Sequence, residues 1–160
     1  LLFFVLSCHH QPSEKKKSPS IETISDAVIN IRRSKLPDPA VIGNAGSFFK
    51  NPIISQADAN AFKQDNAQAP VFPAGIDGFQ KLSAAWLIEQ AGWKGFRIGD
   101  AGVALQHALV LVNYANADLN DVQSTYRAVQ QDVYNKFKVL LEPEPVLFNS
   151  AGLIQSHQDR

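Results

Sequence analysis

Apolar residues recur at Ile21, Ile24, Ala27, Val28 and Ile31, the three-to-four spacing of one helix face, with Ser20 placed to cap the start and Pro37 to prevent continuation. A second helix is predicted from Ser55, because Ser55 and Asp58 have capping-box spacing, with Ala59 and Phe62 turned inward. Residues 66–78 carry Pro70, Pro73, Gly75 and Gly78 and read as turns. A third helix fits residues 83–91, where Gly92 is a natural stop. Residues 108–112, A-L-V-L-V, form a short apolar run between polar neighbours, the pattern of a buried strand. The longest periodic stretch is residues 120–137. There Val122, Tyr126, Val129, Val133 and Phe137 make one stripe, and Asn120 and Gln123 have capping spacing. A last strand is predicted over residues 139–148, with Pro143 and Pro145 confining it to an edge. Helices and strands alternate without a regular strand–helix–strand repeat. The expected class is α+β, a small mixed sheet packed against helices.

Composition narrows the function classes. A length of 160 residues suits one domain that buries its own core. Cys8 is the only cysteine, so no disulfide framework exists. Zero formal net charge removes the electrostatic footprint of a nucleic-acid binder, although six basic residues against three acidic ones within the first 35 positions make that segment locally positive. No apolar stretch reaches the roughly 20 residues that span a bilayer, and no membrane association is expected. The chain contains no methionine and opens on the apolar run of residues 1–6, which reads as an interior strand whose beginning lies further upstream. A secretory or lipoprotein signal is the competing reading of that run and Cys8, but the basic start such a signal needs is missing. Residues 9–20 are polar and aperiodic, a linker.

Isolated motifs carry little. Cys8, His9 and His10 are adjacent and cannot all face one ion, so no metal is expected. The loop G-N-A-G-S, residues 43–47, matches neither a nucleophile elbow nor a phosphate-binding glycine fingerprint, and is either a turn or a backbone anion cradle. The run from Lys35 to Pro52 nevertheless concentrates lysines, small-residue turns, a serine, an aromatic pair and an asparagine without a core pattern, as functional loops do. In L-E-P-E-P, residues 141–145, prolines fix the backbone around two carboxylates. That segment is either a guarded edge strand or a device that holds a carboxylate in place.

Five blocks in order, R-R-S-K-L-P-D-P from Arg32, G-N-A-G-S-F-F-K-N-P from Gly43, A-A-W-L-I-E-Q-A-G-W-K-G from Ala84, Q-H-A-L-V-L-V-N from Gln106 and L-E-P-E-P from Leu141, give the chain a family resemblance. It resembles the C-terminal, substrate-binding part of the UDP-N-acetylenolpyruvoylglucosamine reductases (UDP-N-acetylmuramate dehydrogenases) of bacterial cell-wall synthesis. The resemblance implies a cytoplasmic, monomeric flavoenzyme in which NADPH reduces FAD, and the enolpyruvyl group of UDP-N-acetylglucosamine enolpyruvate is then reduced. It implies that Ser47 is the general acid, that Glu144 is the second catalytic group, and that Lys35, Asn51 and Gln106 contact the substrate. Phe72 stands where a tyrosine reaching the substrate phosphates is expected, and Ala104 where histidine is frequent. Trp86 and Trp93 are expected to pack rather than react. The implied organisation is residues 1–20 as the end of a preceding domain or linker, 21–148 as the substrate-binding domain and 149–160 as a tail. The flavin domain lies outside the sequence, so these residues alone are expected to bind no FAD and to turn over nothing. The alternative is a nucleotide-sugar binding module without redox chemistry. A lipid-anchored interaction protein is a more distant third reading.

Overall fold

Residues 20–146 are described by the computed structural model. Helix α1 (Ile21–Lys35) begins at Ser20, whose hydroxyl accepts the Thr23 N–H, and ends at Leu36 in extended conformation, as Pro37 demands. In its first turn Glu22 is held below its ordinary pKa by hydrogen bonds from its own backbone N–H and from the Ser20 hydroxyl. The chain continues through β1 (Gly43–Ser47), β2 (Ile53–Ser55), α2 (Gln56–Asp65), β3 (Val71–Pro73), β4 (Phe79–Leu82) and α3 (Ala84–Gln90). It closes with β5 (Arg97–Ile98), β6 (Ala101–Val103), β7 (Val110–Asn113) and α4 (Leu119–Phe137). The strands form two antiparallel sheets, one in the order β1-β7-β6-β5 and one in the order β2-β4-β3. The class is α+β.

The core joins both sheets to the helices. Tyr126, Val129 and Val133 of α4 lie against Leu87 and Ile88 of α3, Leu82 of β4, Val103 of β6 and the pair Phe48–Phe49 just after β1. The stripe predicted on the last helix is therefore the one that is buried, and Ala59 and Phe62 of α2 turn inward as their spacing requires. A smaller cluster of Ala104, Val110 and Val112 receives Leu36 and Ile42.

Several elements depart from the pattern. The G-N-A-G-S loop is a strand, β1, whose small residues hide the alternation that marks one. The turn-rich stretch contains β3, and four further strands of two to four residues, β2, β4, β5 and β6, are too short to leave a period. The cap of helix α4 lies two residues earlier than expected, at Asp118 rather than Asn120: Asp118 and Asp121 form a reciprocal capping box. The expected C-terminal strand reduces, within the described residues, to a single bridge between Phe49 and Pro143. The opening run 1–6, the linker, the Cys8–His9–His10 group and the tail lie outside the described residues.

Candidate functional site

Ser47 closes β1, at the edge of the larger sheet. A β-bulge between Asn44 and Ser47 breaks the register with β7. Gly46 takes φ 72°, a conformation that favours glycine, and the Asn44 side chain accepts the Gly46 N–H at 3.1 Å. Bulges re-aim the side chains beside them, and here Ser47 is left exposed. The two residues that follow are buried anchors. Phe48 and Phe49 meet edge to face with centroids 5.2 Å apart, and Phe48 lies 5.3 Å from the Tyr126 ring. The glycine-containing segment is thus fastened to the core one residue beyond the serine.

Glu144 is brought to this place by backbone pairing. Its N–H donates to the Phe48 carbonyl at 2.8 Å, and the Lys50 N–H donates to the Glu142 carbonyl at 2.9 Å. These two bonds flank the Phe49–Pro143 bridge, which makes that bridge a non-hydrogen-bonded pair whose N–H groups point away from the partner. Proline is tolerated at such a position because no donor is needed. Burial alternates along the segment: Leu141 and Pro143 face inward, while Glu142 and Glu144 face solvent. Leu141 is fully buried, and its carbonyl accepts the Gln130 side-chain amide at 2.7 Å. An ion pair not anticipated from the sequence, Lys50 Nζ to Glu142 Oε1 at 2.7 Å, ties the same two segments together.

The other expected contacts distribute around this edge. Asn51 is exposed, but its Oδ1 accepts the Ala84 N–H at 2.9 Å at the first residue of α3, leaving its NH₂ group as the side that can meet a ligand. Gln106 is exposed in the turn between β6 and β7. Beyond that turn the Leu109 carbonyl accepts the Phe48 N–H at 2.7 Å and Val110 pairs with Ser47, so the turn lies at the Ser47 end of the sheet. Lys35 is the last residue of α1. The connection after it, through Pro37, is bonded to Asn44, which belongs to the opposite, Gly43 end of β1. Ser47, Asn51, Gln106 and Glu144 are therefore gathered by the fold, whereas the helix that ends at Lys35 leads into the far end of the strand.

Phe72 sits half exposed on the outer face of the smaller sheet, paired with Lys81. Ala104 is buried at 2 % exposure beside Val110 and Val112. Trp93 is buried and donates its indole N–H to Asp132 at 2.9 Å, while Trp86 packs among Phe62 and Phe137, as packing residues do. A shallow pocket of ≈ 260 Å³ between the end of α2 and the α3–α4 pair is lined by residues including Trp86, Gln90, Lys136 and Phe137, and by none of the five expected site residues. Among the described residues no helix is long and apolar enough to cross a membrane, and no group of three metal-ligating side chains occurs.

The site is an open edge built from three backbone segments of an α+β domain, with a serine, a carboxylate and two side-chain amides displayed on it. The family model for the UDP-N-acetylenolpyruvoylglucosamine reductase C-terminal domain matches residues 38–148. The chain belongs to this family. It is 53% identical over 122 residues to the UDP-N-acetylenolpyruvoylglucosamine reductase of Xanthomonas oryzae pv. oryzae (strain PXO99A), covering 76% of this chain and 35% of that protein. It is 49% identical over 132 residues to the protein of the same name from Xylella fastidiosa (strain 9a5c), covering 82% of this chain and 38% of the relative. A crystal structure of UDP-N-acetylenolpyruvylglucosamine reductase from Thermus caldophilus aligns with TM-score 0.48 and 27% identity over 81% of this chain and 35% of its own. The chain thus spans a little over a third of the length of these relatives.

Proposed function

We propose that this chain is the substrate-binding part of an NADPH-dependent flavoprotein that reduces the enolpyruvyl group of UDP-N-acetylglucosamine enolpyruvate to UDP-N-acetylmuramate in peptidoglycan synthesis, acting as a cytoplasmic monomer. The observation that carries the reading is the convergence of Ser47 and the L-E-P-E segment: sequence blocks nearly a hundred residues apart are hydrogen-bonded to each other, with Glu144 bound to the residue after Ser47. When bound, FAD reduced by NADPH supplies the hydride for the β-carbon of the enolpyruvyl group. Ser47 and Glu144 both face solvent, which fits a flavin presented from outside the described residues.

The chain's own residues then have defined tasks. Reduction of the double bond needs a proton at the carbon next to the one that receives hydride, and Ser47 Oγ supplies it. A serine hydroxyl is a weak acid, so the role depends on aim, which the Gly46 bulge and the Phe48 anchor provide. Glu144, held between two prolines, stabilises the enol-like charge distribution or tunes that proton delivery. The Asn51 amide and Gln106 hydrogen-bond polar groups of the nucleotide sugar, and Lys35 meets its diphosphate or carboxylate charge. Phe72 offers an apolar ring without a hydroxyl for phosphate.

The test uses Ser47→Ala in the complete enzyme, with flavin reduction and flavin reoxidation followed separately by stopped-flow absorbance. Reduction by NADPH is expected to stay near the parental rate, while reoxidation by the enolpyruvyl substrate slows by roughly a hundredfold or more, the usual value of a positioned proton donor. Equal damage to both half-reactions would remove Ser47 from the role.

A further inference from the structure

The pairing that holds Glu144 is short: two backbone hydrogen bonds around one bridge. Burial of Leu141 and Pro143 fixes which face of the segment turns inward, while its position along the strand rests on these two bonds, on the seat of Leu141 and on the Gln130 amide at the Leu141 carbonyl. A one-residue slip is opposed by burial, because it would turn Glu144 inward and expose Leu141 and Pro143. A two-residue slip is different. It moves Leu141 to the place of Pro143 and breaks the Gln130 bond to its carbonyl, but it keeps every side chain on its own face, and the repeated E-P-E-P of residues 142–145 then sets Glu142 opposite Phe48, in the place of Glu144. The alternative register offers the same residue type at the site, with its carboxylate on a different backbone path.

We propose that Lys50 and Glu142 are a positioning pair that selects the catalytic register between the Ser47 strand and the Glu144 segment. Lys50 Nζ lies 2.7 Å from Glu142 Oε1 across 92 residues of sequence, and the two residues are also joined by the Lys50 N–H to Glu142 carbonyl bond. Sliding Glu142 up to Phe48 breaks both contacts and leaves Lys50 opposite Leu140, an apolar residue. Lys50 follows Ser47 by three positions and Glu142 precedes Glu144 by two, so the ion pair sits next to the site without lying in it. Both side chains are about half exposed, and the pair therefore biases the register severalfold rather than locking it. The inference rests on the reductase reading for its catalytic consequence only. The register itself is a property of this chain.

Two measurements separate these. In the 160-residue chain, amide hydrogen exchange read by NMR is expected to be about two- to fivefold faster at Glu144, whose acceptor on Phe48 passes to Glu142 in the slipped register, in Lys50→Ala and in Glu142→Ala, with Lys50 (in Glu142→Ala) and α4 amides unchanged, and restored in the reversed pair K50E/E142K. Unchanged exchange at Glu144 in both single variants, or equal acceleration at Lys50 and Glu144 in Glu142→Ala, which marks detachment rather than a slip, would overturn the proposal whatever the enzyme does. In the complete enzyme, each single variant is expected to lower the rate of flavin reoxidation by the enolpyruvyl substrate by about fivefold at saturation, with KM and flavin reduction by NADPH little changed, and Lys50→Arg is expected to keep the parental rate. A reversed pair as slow as the slower single variant would show that Lys50 acts by its own charge on the substrate and would also overturn it. Failure of the parental enzyme to be reoxidised by this substrate would sink the reductase reading and leave the register result standing.

Discussion

Lys138 is the one non-glycine residue with positive φ among the described positions, at φ 57° and ψ 25°. It ends α4 in the left-handed conformation, and its N–H donates to the Tyr134 carbonyl at 2.8 Å. A side chain there costs about 1–2 kcal/mol, part of which glycine would return after its own greater freedom in the unfolded chain is set against it. Lys138→Gly is accordingly expected to stabilise the chain by about 0.5–1 kcal/mol, measured as an upward shift of the urea midpoint at constant slope. The lysine side chain reaches only the Asn135 carbonyl and the face of the Tyr134 ring, both at the surface, and these interactions are too weak to reverse that sign. Residue-scale chemistry was only partly legible in the sequence. Ser47 and Glu144 were visible as motif positions, and the structure supplies what a motif cannot, the Gly46 bulge and the bond to Phe48. Asn51 shows the limit: nothing local reveals that its oxygen is committed to Ala84, 33 positions away.

At the scale of elements, the start of α4 shows how two equally good local patterns are decided. Asn120 with Gln123 and Asp118 with Asp121 both have capping spacing. The turn before the helix settles the choice. Asn113 accepts the N–H groups of Ala115 and Ala117 and donates to the Ala117 carbonyl, which brings the chain into helical entry at Asp118. Asp118 Oδ1 then accepts the Asp121 N–H at 2.9 Å and Asp121 Oδ2 accepts the Asp118 N–H at 3.0 Å. Asp118→Ala is expected to destabilise the chain by about 1 kcal/mol in urea unfolding, and Asn120→Ala by less than about 0.5 kcal/mol. The reverse ranking would mean that the cap lies at Asn120 after all. The helices were readable because each begins at a capping residue, Ser20, Ser55, Ser83 or Asp118, and two of them, α1 and α3, also meet a stop in Pro37 and Gly92. Most strands were not, because all but β1 have four residues or fewer and several pair through Gly and Ala, as at Gly102 against Arg97. A Cβ on Gly102 would approach the Arg97 Cβ to 2.5 Å, so this strand contact is specified by the absence of a side chain, which periodicity does not register.

At the scale of the whole molecule, α1 stands apart from the other described elements. Its apolar stripe is the clearest at the start of the chain, yet Ile21, Ile24, Val28 and Ile31 are 83%, 50%, 49% and 54% exposed, while α4 buries Tyr126, Val129 and Val133 of its own stripe. Helical spacing therefore announced an amphipathic helix correctly without saying what the face is for. Attachment of α1 comes instead through Leu36, which joins Ile42 and Tyr114 on the Ala104–Val110–Val112 cluster. Since the stripe joins no core cluster within residues 20–146, removing it withdraws little apolar area from the folded state. The double variant I24S/V28S in the 160-residue chain is thus expected to leave the unfolding free energy within about 0.5 kcal/mol of the parent, by urea titration followed by the fluorescence of Trp86 and Trp93. Its cost should instead be local, a few tenths of a kcal/mol of helix propensity per serine, seen as a loss of helical circular dichroism ahead of the main transition. A loss above about 1 kcal/mol in the main transition would mean that residues outside 20–146 cover the stripe and that α1 belongs to the cooperative unit, because only burial gives two such side chains that much weight.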